Sequence, residues 1–341
     1  MSQSNQIVGL LLYSLFVLPF SLYAQALPLF RSGSSVVVVP VTVTDRSGRF
    51  VSDLTADQFA VSDSGSRRPI TQFSAERVPV SLGILLDISG SMATDPKARA
   101  IDDARWADTR RALELLVQRL NPRDEVFFAA FADRVGLAVP WTHEHDRVTR
   151  AFNSLRPGGY TALFDAVKLI APAFQRATHG RKVLLVISDG RDSLVPHLRG
   201  GTPVVPYGLT REQQVQAEIY SRQKALRDAA VGAAQQVVNK SGAALYAIGM
   251  GTGKGAYVDL INLESLTADS GGYVEAINDP AEITAATARI FDELQSQYML
   301  AFEPVHADGK YHEITVTTKN RDLRVRARAG YVAPASSLPV K

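Results

Sequence analysis

One acidic residue and two serines occupy alternate positions in the segment Asp87-Ile88-Ser89-Gly90-Ser91. Carboxylate and hydroxyl oxygens are hard ligands of the kind that Mg²⁺, Mn²⁺ and Ca²⁺ prefer. The preceding residues 80–86 are mostly apolar and free of proline, which predicts a buried strand of a parallel sheet. Because ligands of open α/β sheets bind beyond the carboxyl ends of the strands, these oxygens lie where a metal site is expected.

Two other stretches place similar groups at the ends of predicted elements. Residues 183–188 form a second apolar segment that ends in Asp189, and the glycine-rich loop at residues 158–163 carries Thr161 where a helix is predicted to begin. Each residue alone also has a structural explanation, since an acid often caps a strand end and Thr161 is a suitable N-cap. It is the combination that favours a metal site.

Taken in order, these residues resemble the metal-ion-dependent adhesion site of von Willebrand factor type A (VWA) domains, with matches at Asp87, Ser89, Ser91, Thr161 and Asp189. The resemblance covers residues 80–294, and the flanks, from about residue 36 and out to about residue 332, look more loosely like the longer VWA-related proteins of acidobacteria. It implies that Ser89 and Ser91 coordinate the cation directly, and that Thr161 does so once a ligand is bound. The two acids are implied to act largely through water.

The resemblance implies a protein-binding role, with Mg²⁺, or else Mn²⁺ or Ca²⁺, as the bound cation. Neutral hydroxyl ligands leave the cation much of its positive charge, so an open coordination position favours a Glu or Asp carboxylate of a partner protein. We therefore expect an adhesion or scaffold module and not an enzyme. The alternative is a hydrolase whose cation activates water, which needs a general base that the sequence around Ser89 and Ser91 does not offer.

Composition and missing motifs argue against several other kinds of function. The chain of 341 residues has no cysteine, which excludes disulfides and thiolate metal sites, and its net charge of +3 gives no nucleic-acid footprint. The sequence has no dinucleotide-binding Gly-x-Gly-x-x-Gly after the first core strand, no phosphate-binding Gly-Lys-Ser/Thr, and no Gly-x-Ser-x-Gly. The segment His143-Glu144-His145 has the spacing of a chelating pattern, and we interpret it as a polar turn before a helix.

The N-terminal residues predict an exported protein. Residues 7–22 are predominantly apolar and Ala24-Gln25-Ala26 provides a small-x-small cleavage pattern, which together predict a secretory signal peptide at residues 1–26. Residues 1–6 lack Lys and Arg, so an uncleaved anchor is the alternative, although the apolar run is short for a membrane span. With the signal removed, we expect a secreted or periplasmic chain without a membrane span that begins near Gln25 or Leu27.

Apolar segments alternate with helical patterns between residues 80 and 294, which predicts a doubly wound, mostly parallel α/β sheet of the Rossmann-like type. If its strands follow the common order 3-2-1-4-5-6, the first and fourth are neighbours at the switch point, so Asp87 and Asp189 should lie side by side. The short link Asp133-Arg134 predicts an antiparallel edge hairpin between residues 125–131 and 136–141. Pro172 should kink the helix predicted at residues 162–177.

β-rich segments flank this core on both sides and carry no chemical constellation. We expect residues 33–79 and 295–333 to form one small β-sandwich, into which the VWA domain at residues 80–294 is inserted, followed by a tail at residues 334–341. Two separate β units are the alternative. Pro40 lies inside a β-branched run and predicts an edge strand or a bulge there.

Three features close to the predicted site have structural interpretations of their own. Asp165 lies in the first turn of a helix, where it complements the helix dipole, and we interpret it as structural or as a residue that supports a metal ligand. Asp192 is interpreted as a solvated loop acid. The segment at residues 191–220, much of which is predicted to be loop, leaves directly from Asp189 and is well placed to contact a partner, with a passive surface insertion as the alternative. Thr210 and Gln213 fit a capping box that opens a long helix toward Lys240.

Overall fold

The structure is a computed structural model that describes residues 36–93, 103–193, 210–251, 258–279, 282–306 and 308–333. The predicted signal peptide, the tail and residues 194–209 of the long loop lie outside these ranges. In chain order the strands are β1 (Val37–Thr44), β2 (Phe59–Asp63), β3 (Ser66–Arg68), β4 (Gln72–Ser74), β5 (Val80–Asp87), β6 (Glu125–Phe131), β7 (Val135–Thr142), β8 (Arg181–Ser188), β9 (Ala244–Met250), β10 (Val274–Ile277), β11 (Tyr298–Phe302), β12 (Tyr311–Thr318), β13 (Arg324–Ala327) and β14 (Gly330–Val332).

The α-helices in chain order are α1 (Gly90–Ala93), α2 (Asp103–Arg119), α3 (Asp146–Asn153), α4 (Leu163–Ile170), α5 (Arg211–Ser241), α6 (Leu260–Thr267) and α7 (Ile283–Ser296). Short 3₁₀ helices span Ala56–Gln58 and Ala171–Arg176. The long helix predicted after Thr210 is confirmed as α5. Within the described ranges, no helix combines the length and the apolar character that crossing a membrane requires.

The central sheet has the strand order β10-β9-β8-β5-β6-β7. Every neighbouring pair is parallel except β6 and β7, which form an antiparallel edge hairpin. This is the predicted order, with the first and fourth strands of the core adjacent, and it confirms the doubly wound α/β fold. The middle strand β5 is buried along its whole length, and β8 is buried except at the partly exposed Lys182, because helices cover both faces of the sheet.

Apolar side chains form a separate core on each face of the central sheet. On one face they come from α2, α3 and α7, and on the other from α4, α5 and α6. Gly83, in the middle of β5, allows the Phe127 ring to pack directly over the strand, since a Cβ at this position would lie 2.3 Å from Phe127 Cζ. The parallel ladder between β5 and β8 fixes their register under this packing, and it positions the groups at their carboxyl ends.

The flanking segments form two four-stranded sheets, with strand orders β13-β1-β11-β4 and β14-β12-β2-β3. Each sheet combines strands from both ends of the chain, for example β1 with β11 and β2 with β12. The inner faces share one apolar core, to which Val39, Phe59, Tyr298 and Ile314 contribute. The prediction of one sandwich built from both flanks is confirmed, and the alternative of two separate β units is wrong.

Two prolines behave differently from the sequence-based expectation. Pro40 lies in β1, which is an inner strand of its sheet, but β13 pairs with β1 only from Val41 onward. On the side that faces β13, Pro40 therefore has no ladder partner. A proline, which lacks an N–H, can occupy this position without the loss of a hydrogen bond to β13. Pro172 does not kink an α-helix: α4 ends at Ile170 and the chain continues as a 3₁₀ helix, because Pro172 cannot donate the hydrogen bond that an α-helix requires.

Arg181, the first residue of β8, joins the sandwich to the α/β unit. Its side chain is buried, and its guanidinium donates hydrogen bonds to the carbonyls of Val78, Leu294 and Gln297, at 3.4, 2.6 and 3.4 Å. Val78 lies where the chain enters the α/β unit, and the other two acceptors lie where it leaves. One buried cation thus binds both crossings between the two units, an arrangement that we call the Arg181 clamp.

Candidate metal centre

Asp87 is the last residue of β5 and its side chain is fully buried. Its Oδ1 accepts a hydrogen bond from the Ser89 N–H at 2.8 Å, and its Oδ2 accepts one from the Ser188 hydroxyl at 2.6 Å. Since β5 and β8 pair in parallel and Asp189 directly follows Ser188, the two acids lie at adjacent strand ends. The side-by-side placement expected from the switch-point rule is the one that the structure has.

The second acid, Asp189, has one carboxylate oxygen that accepts no hydrogen bond from any residue in the described ranges. Its Oδ1 accepts from the Arg191 N–H at 3.0 Å, whereas its buried Oδ2 has no hydrogen-bond partner and lies 3.4 Å from Arg191 Nε. Burial, and next the negative charge of Asp189, raise the pKa of Asp87 to about 7. Two buried carboxylates side by side, one with an unpaired oxygen, form a site that a cation would stabilise.

Hydroxyl groups complete the candidate site. The Ser89 and Ser91 hydroxyl oxygens lie 3.1 Å apart at the start of α1. The glycine-rich loop is tied to this segment by two backbone hydrogen bonds, from Gly158 N to Ile88 O and from Gly90 N to Gly159 O. These bonds hold the loop that carries Thr161 against the end of β5.

Thr161 is tied equally firmly to the segment that follows Asp189. Its N–H donates to the Ser193 hydroxyl at 3.0 Å, and its carbonyl accepts from the Ser193 N–H at 2.7 Å. Thr161 is buried and lies between the loop after β5 and the loop after β8. The structure therefore brings all five predicted residues to one edge of the central sheet, while their role as metal ligands stays a prediction.

Two interpretations of nearby residues are wrong. Thr161 is not the N-cap of its helix, because α4 begins at Leu163 with Ala162 as N-cap. The N–H of Phe164 donates instead to Asp192 Oδ2 at 3.0 Å, so Asp192 is a buried acid that satisfies the start of α4 and not a solvated one. Asp165 does have the structural role expected of it, in an exposed ion pair with Lys168.

Gly190 and Tyr160 are functional candidates that the sequence analysis missed. Gly190 has φ of +78°, and a Cβ there would lie 2.4 Å from the Asp259 carbonyl oxygen, so only glycine fits directly after Asp189. Tyr160 precedes Thr161 and is 76% exposed. The glycine after a strand-end acid was a readable signal for Gly190, but no local pattern indicates that the Tyr160 side chain is exposed.

The donor set fits a hard divalent cation. Two carboxylates and three hydroxyls supply only oxygen, which is the chemistry that Mg²⁺, Mn²⁺ and Ca²⁺ accept. Asp189 Oδ2 accepts no hydrogen bond from the described residues, so its lone pairs are available to a cation or its water. Among the described residues no group of three or more His, Cys, Asp or Glu is arranged to bind a metal. The candidate site has only two such residues, and hydroxyl groups supply its other oxygens. His143 and His145 both contact the Asp124 carbonyl, which fits the polar-turn interpretation.

Residues 82–191 match the family described as von Willebrand factor type A domain, and this span includes all five candidate residues. The chain contains a von Willebrand factor type A domain. The VWA match covers the core of the α/β unit, and the looser likeness of the flanks to acidobacterial proteins stays a prediction. No curated protein matches the chain with significant similarity.

Several solved structures are similar to this VWA domain protein. BatB from Bacteroides thetaiotaomicron is 20% identical, with 64% of this chain and 100% of that chain covered and a TM-score of 0.43. The vWF domain of a type V pili tip protein from Porphyromonas gingivalis is 15% identical, with 63% and 95% covered and a TM-score of 0.44. A von Willebrand factor type A protein from Catenulispora acidiphila is 13% identical, with 90% and 75% covered and a TM-score of 0.45.

Proposed function

We propose that this protein is an exported, metal-dependent protein-binding module of the adhesion or scaffold kind. A divalent cation, Mg²⁺ or else Mn²⁺ or Ca²⁺, is held at the carboxyl edge of the central sheet by Asp87, Ser89, Ser91, Thr161 and Asp189. The observation that carries the proposal is the buried pair of acids beside three hydroxyls, with an oxygen on Asp189 that accepts no hydrogen bond from the described residues. Two adjacent buried carboxylates are costly unless cations balance them, and the ion pair of Asp189 with Arg191 supplies a single positive charge.

The electrostatics of the site favour recognition of an acidic residue. Hydroxyl ligands are neutral, so a cation bound directly to them keeps charge that a carboxylate of a partner protein satisfies. Four of the described histidines are hydrogen-bonded away from the site, His143, His145 and His179 to carbonyls of residues 123–124, and His312 to Asp308 and Ser64. A cation held at this site could therefore bind an anion. No described histidine contacts the site, where it could act as a general base.

Capture of a partner from the native cell envelope tests this function. Wild type with Mg²⁺ should retain an interacting protein, whereas wild type with a chelator and Asp87→Asn with Mg²⁺ should not, because the cation is the point of contact. Substitution of a Glu or Asp in the captured partner should then abolish the interaction. Equal capture in every condition would place the partner surface elsewhere. Export is tested by N-terminal sequencing of the native protein, where recovery of Met1 from the cytoplasm would contradict it.

Tyr160 should contribute to partner binding but not to metal binding. It is a large exposed side chain beside Thr161, and aromatic residues at the centre of an interface often dominate its free energy. We expect Tyr160→Ala to weaken partner binding by about tenfold or more, with an unchanged Mg²⁺ affinity. Leu169→Ala is the matched control, since Leu169 is also exposed but lies toward the far end of α4. Equal affinity of both variants for the partner would refute this role.

A further inference from the structure

A second concave site lies at the junction between the sandwich and the VWA domain. It is a cavity of about 200 Å³, which we call the junction pocket, with β1 and β14 on the sandwich side and β8 and the end of α5 on the other. The pocket could hold several water-sized groups, since a water molecule occupies roughly 30 Å³ in the liquid. It is smaller than the roughly 300–1,000 Å³ of pockets for drug-sized ligands, so a small ligand fits it best.

The charged residues that line the junction pocket all have the same sign. They are Lys182 on β8, Lys240 in the last turn of α5 and Arg328 between β13 and β14, and none of the described lining residues is acidic. Within the described ranges these three side chains form no ion pair with a carboxylate. Lys182 and Arg328 are partly buried, while Lys240 is exposed at the rim of the pocket. Like charges that share a partly buried site without a counter-charge are unfavourable unless an anion joins them.

Arg328 has donors left over after its structural contacts. Its Nε donates to the Gly330 carbonyl at 2.6 Å and its Nη2 to the Asn239 carbonyl at 3.0 Å, so it also caps the end of α5. A guanidinium has five N–H donors, and these contacts leave Nη1 next to the pocket, where Gly242 would place a Cβ 3.6 Å away. Neutral carbonyls fix the position of this cation, and they do not neutralise it.

Lys182 responds to the charge of Arg328. Burial, and next the positive charge of Arg328, lower the pKa of Lys182, and the opposing effect of the Glu125 carboxylate is the smallest of the three. Glu125 does not line the pocket and is occupied by the Ser81 hydroxyl at 2.5 Å and the Thr178 N–H at 2.6 Å. The repulsion between the two cations is therefore not relieved by any acid that lines the pocket.

We propose that the junction pocket binds a small oxyanion of the phosphate class, held by Lys182, Lys240 and Arg328. Arginine and lysine are the residues that bind phosphate oxygens, and the bound anion would join a cation of the sandwich to two cations of the VWA domain. The pocket is separate from the candidate metal centre, because Lys182 and Ser188 lie at opposite ends of β8, roughly 20 Å apart.

Inorganic phosphate is the first probe, added to the full chain in EDTA so that metal binding plays no part. Phosphate should raise the melting temperature saturably, whereas chloride at equal ionic strength should not. Lys182→Gln should weaken phosphate binding at least tenfold, and Lys319→Gln, which removes the same charge from an exposed ion pair with Asp57, should bind like wild type. Arg328→Gln should also lose binding, but it removes helix-capping hydrogen bonds as well, so Lys182→Gln is the decisive variant.

The proposal is overturned if phosphate stabilises wild type no more than chloride does, or if Lys182→Gln binds phosphate as tightly as wild type. The source of the phosphate group is resolved with phosphatidylcholine vesicles prepared with and without phosphatidic acid. Vesicle binding that needs phosphatidic acid, and that inorganic phosphate and Lys182→Gln both abolish, supports a lipid headgroup as the ligand. Phosphate binding without vesicle binding supports a free phosphate compound.

Discussion

Asp87→Asn should abolish the response of the protein to Mg²⁺ and, at the same time, stabilise the metal-free protein at pH 8. The wild-type carboxyl is fully buried beside Asp189, and its pKa is raised to about 7. A shift of this size corresponds to about 4 kcal/mol of destabilisation when the group is ionised. Loss of the hydrogen bond from Ser188 offsets about 1–2 kcal/mol, so the net gain in the free energy of unfolding should be about 2–3 kcal/mol.

The effect of this substitution should depend on pH in a defined direction. Between the unfolded pKa, near 3.9, and the folded value near 7, the native protein binds more protons than the unfolded chain. The metal-free wild type therefore loses stability as the pH rises through this window, and the advantage of Asp87→Asn should shrink between pH 8 and pH 5. Urea unfolding in EDTA measures this difference directly.

The control for Asp87→Asn is Asp165→Asn, which removes an exposed acid from the first turn of α4. Asp165→Asn should keep the full Mg²⁺-induced rise in melting temperature. Asparagine is also a cleaner change than alanine at position 87, because its oxygen can still accept the hydrogen bond from Ser89. A melting temperature of Asp87→Asn that still rises with Mg²⁺ as in wild type would show that the cation binds without this acid.

Arg181→Ala should remove the Arg181 clamp and lower the free energy of unfolding by about 3–5 kcal/mol. The substitution leaves the carbonyls of Val78, Leu294 and Gln297 without their donor and opens a cavity where the side chain was. Relief of the buried charge, whose pKa burial lowers to about 10, reduces this loss but does not reverse it.

Urea unfolding of Arg181→Ala and Arg181→Lys, with Arg150→Ala as control, tests the clamp. Arg181→Lys should lie between wild type and Arg181→Ala, since an ammonium retains the charge but cannot reach both crossings with a planar fork. Arg150 forms an exposed ion pair with Asp146, and its removal should change the free energy of unfolding by less than about 0.5 kcal/mol. An Arg181→Ala protein as stable as Arg150→Ala would refute a role for the clamp.

The central sheet and the meeting of Asp87 with Asp189 could be predicted from the sequence because both follow from regular patterns. Buried strands are apolar along their length, and the topology rules for parallel sheets then place the first and fourth strands together. The sandwich was predictable for a similar reason, since β-rich segments occurred only at the two ends of the core.

The details that could not be predicted depend on contacts between residues far apart in the chain. Asp192 accepts a hydrogen bond from the N–H of Phe164, 28 positions earlier in the first turn of α4, and Arg181 donates to carbonyls more than 100 positions away on both sides. No local pattern distinguishes such an acid or arginine from a solvated one, because their burial is set by the packing of whole elements. The position of Pro40 likewise depended on where β13 begins to pair.

The insertion of the VWA domain determines how the protein would carry mechanical load. The described chain begins and ends in the sandwich, and the strands on either side of the insertion, β4 and β11, pair directly with one another. Tension between the chain ends is therefore borne by the sandwich ladders, and the central sheet remains unloaded until those ladders break. A force applied at the carboxyl edge of the central sheet would instead load β5 and β8 lengthwise, and that force would reach the sandwich through the Arg181 clamp.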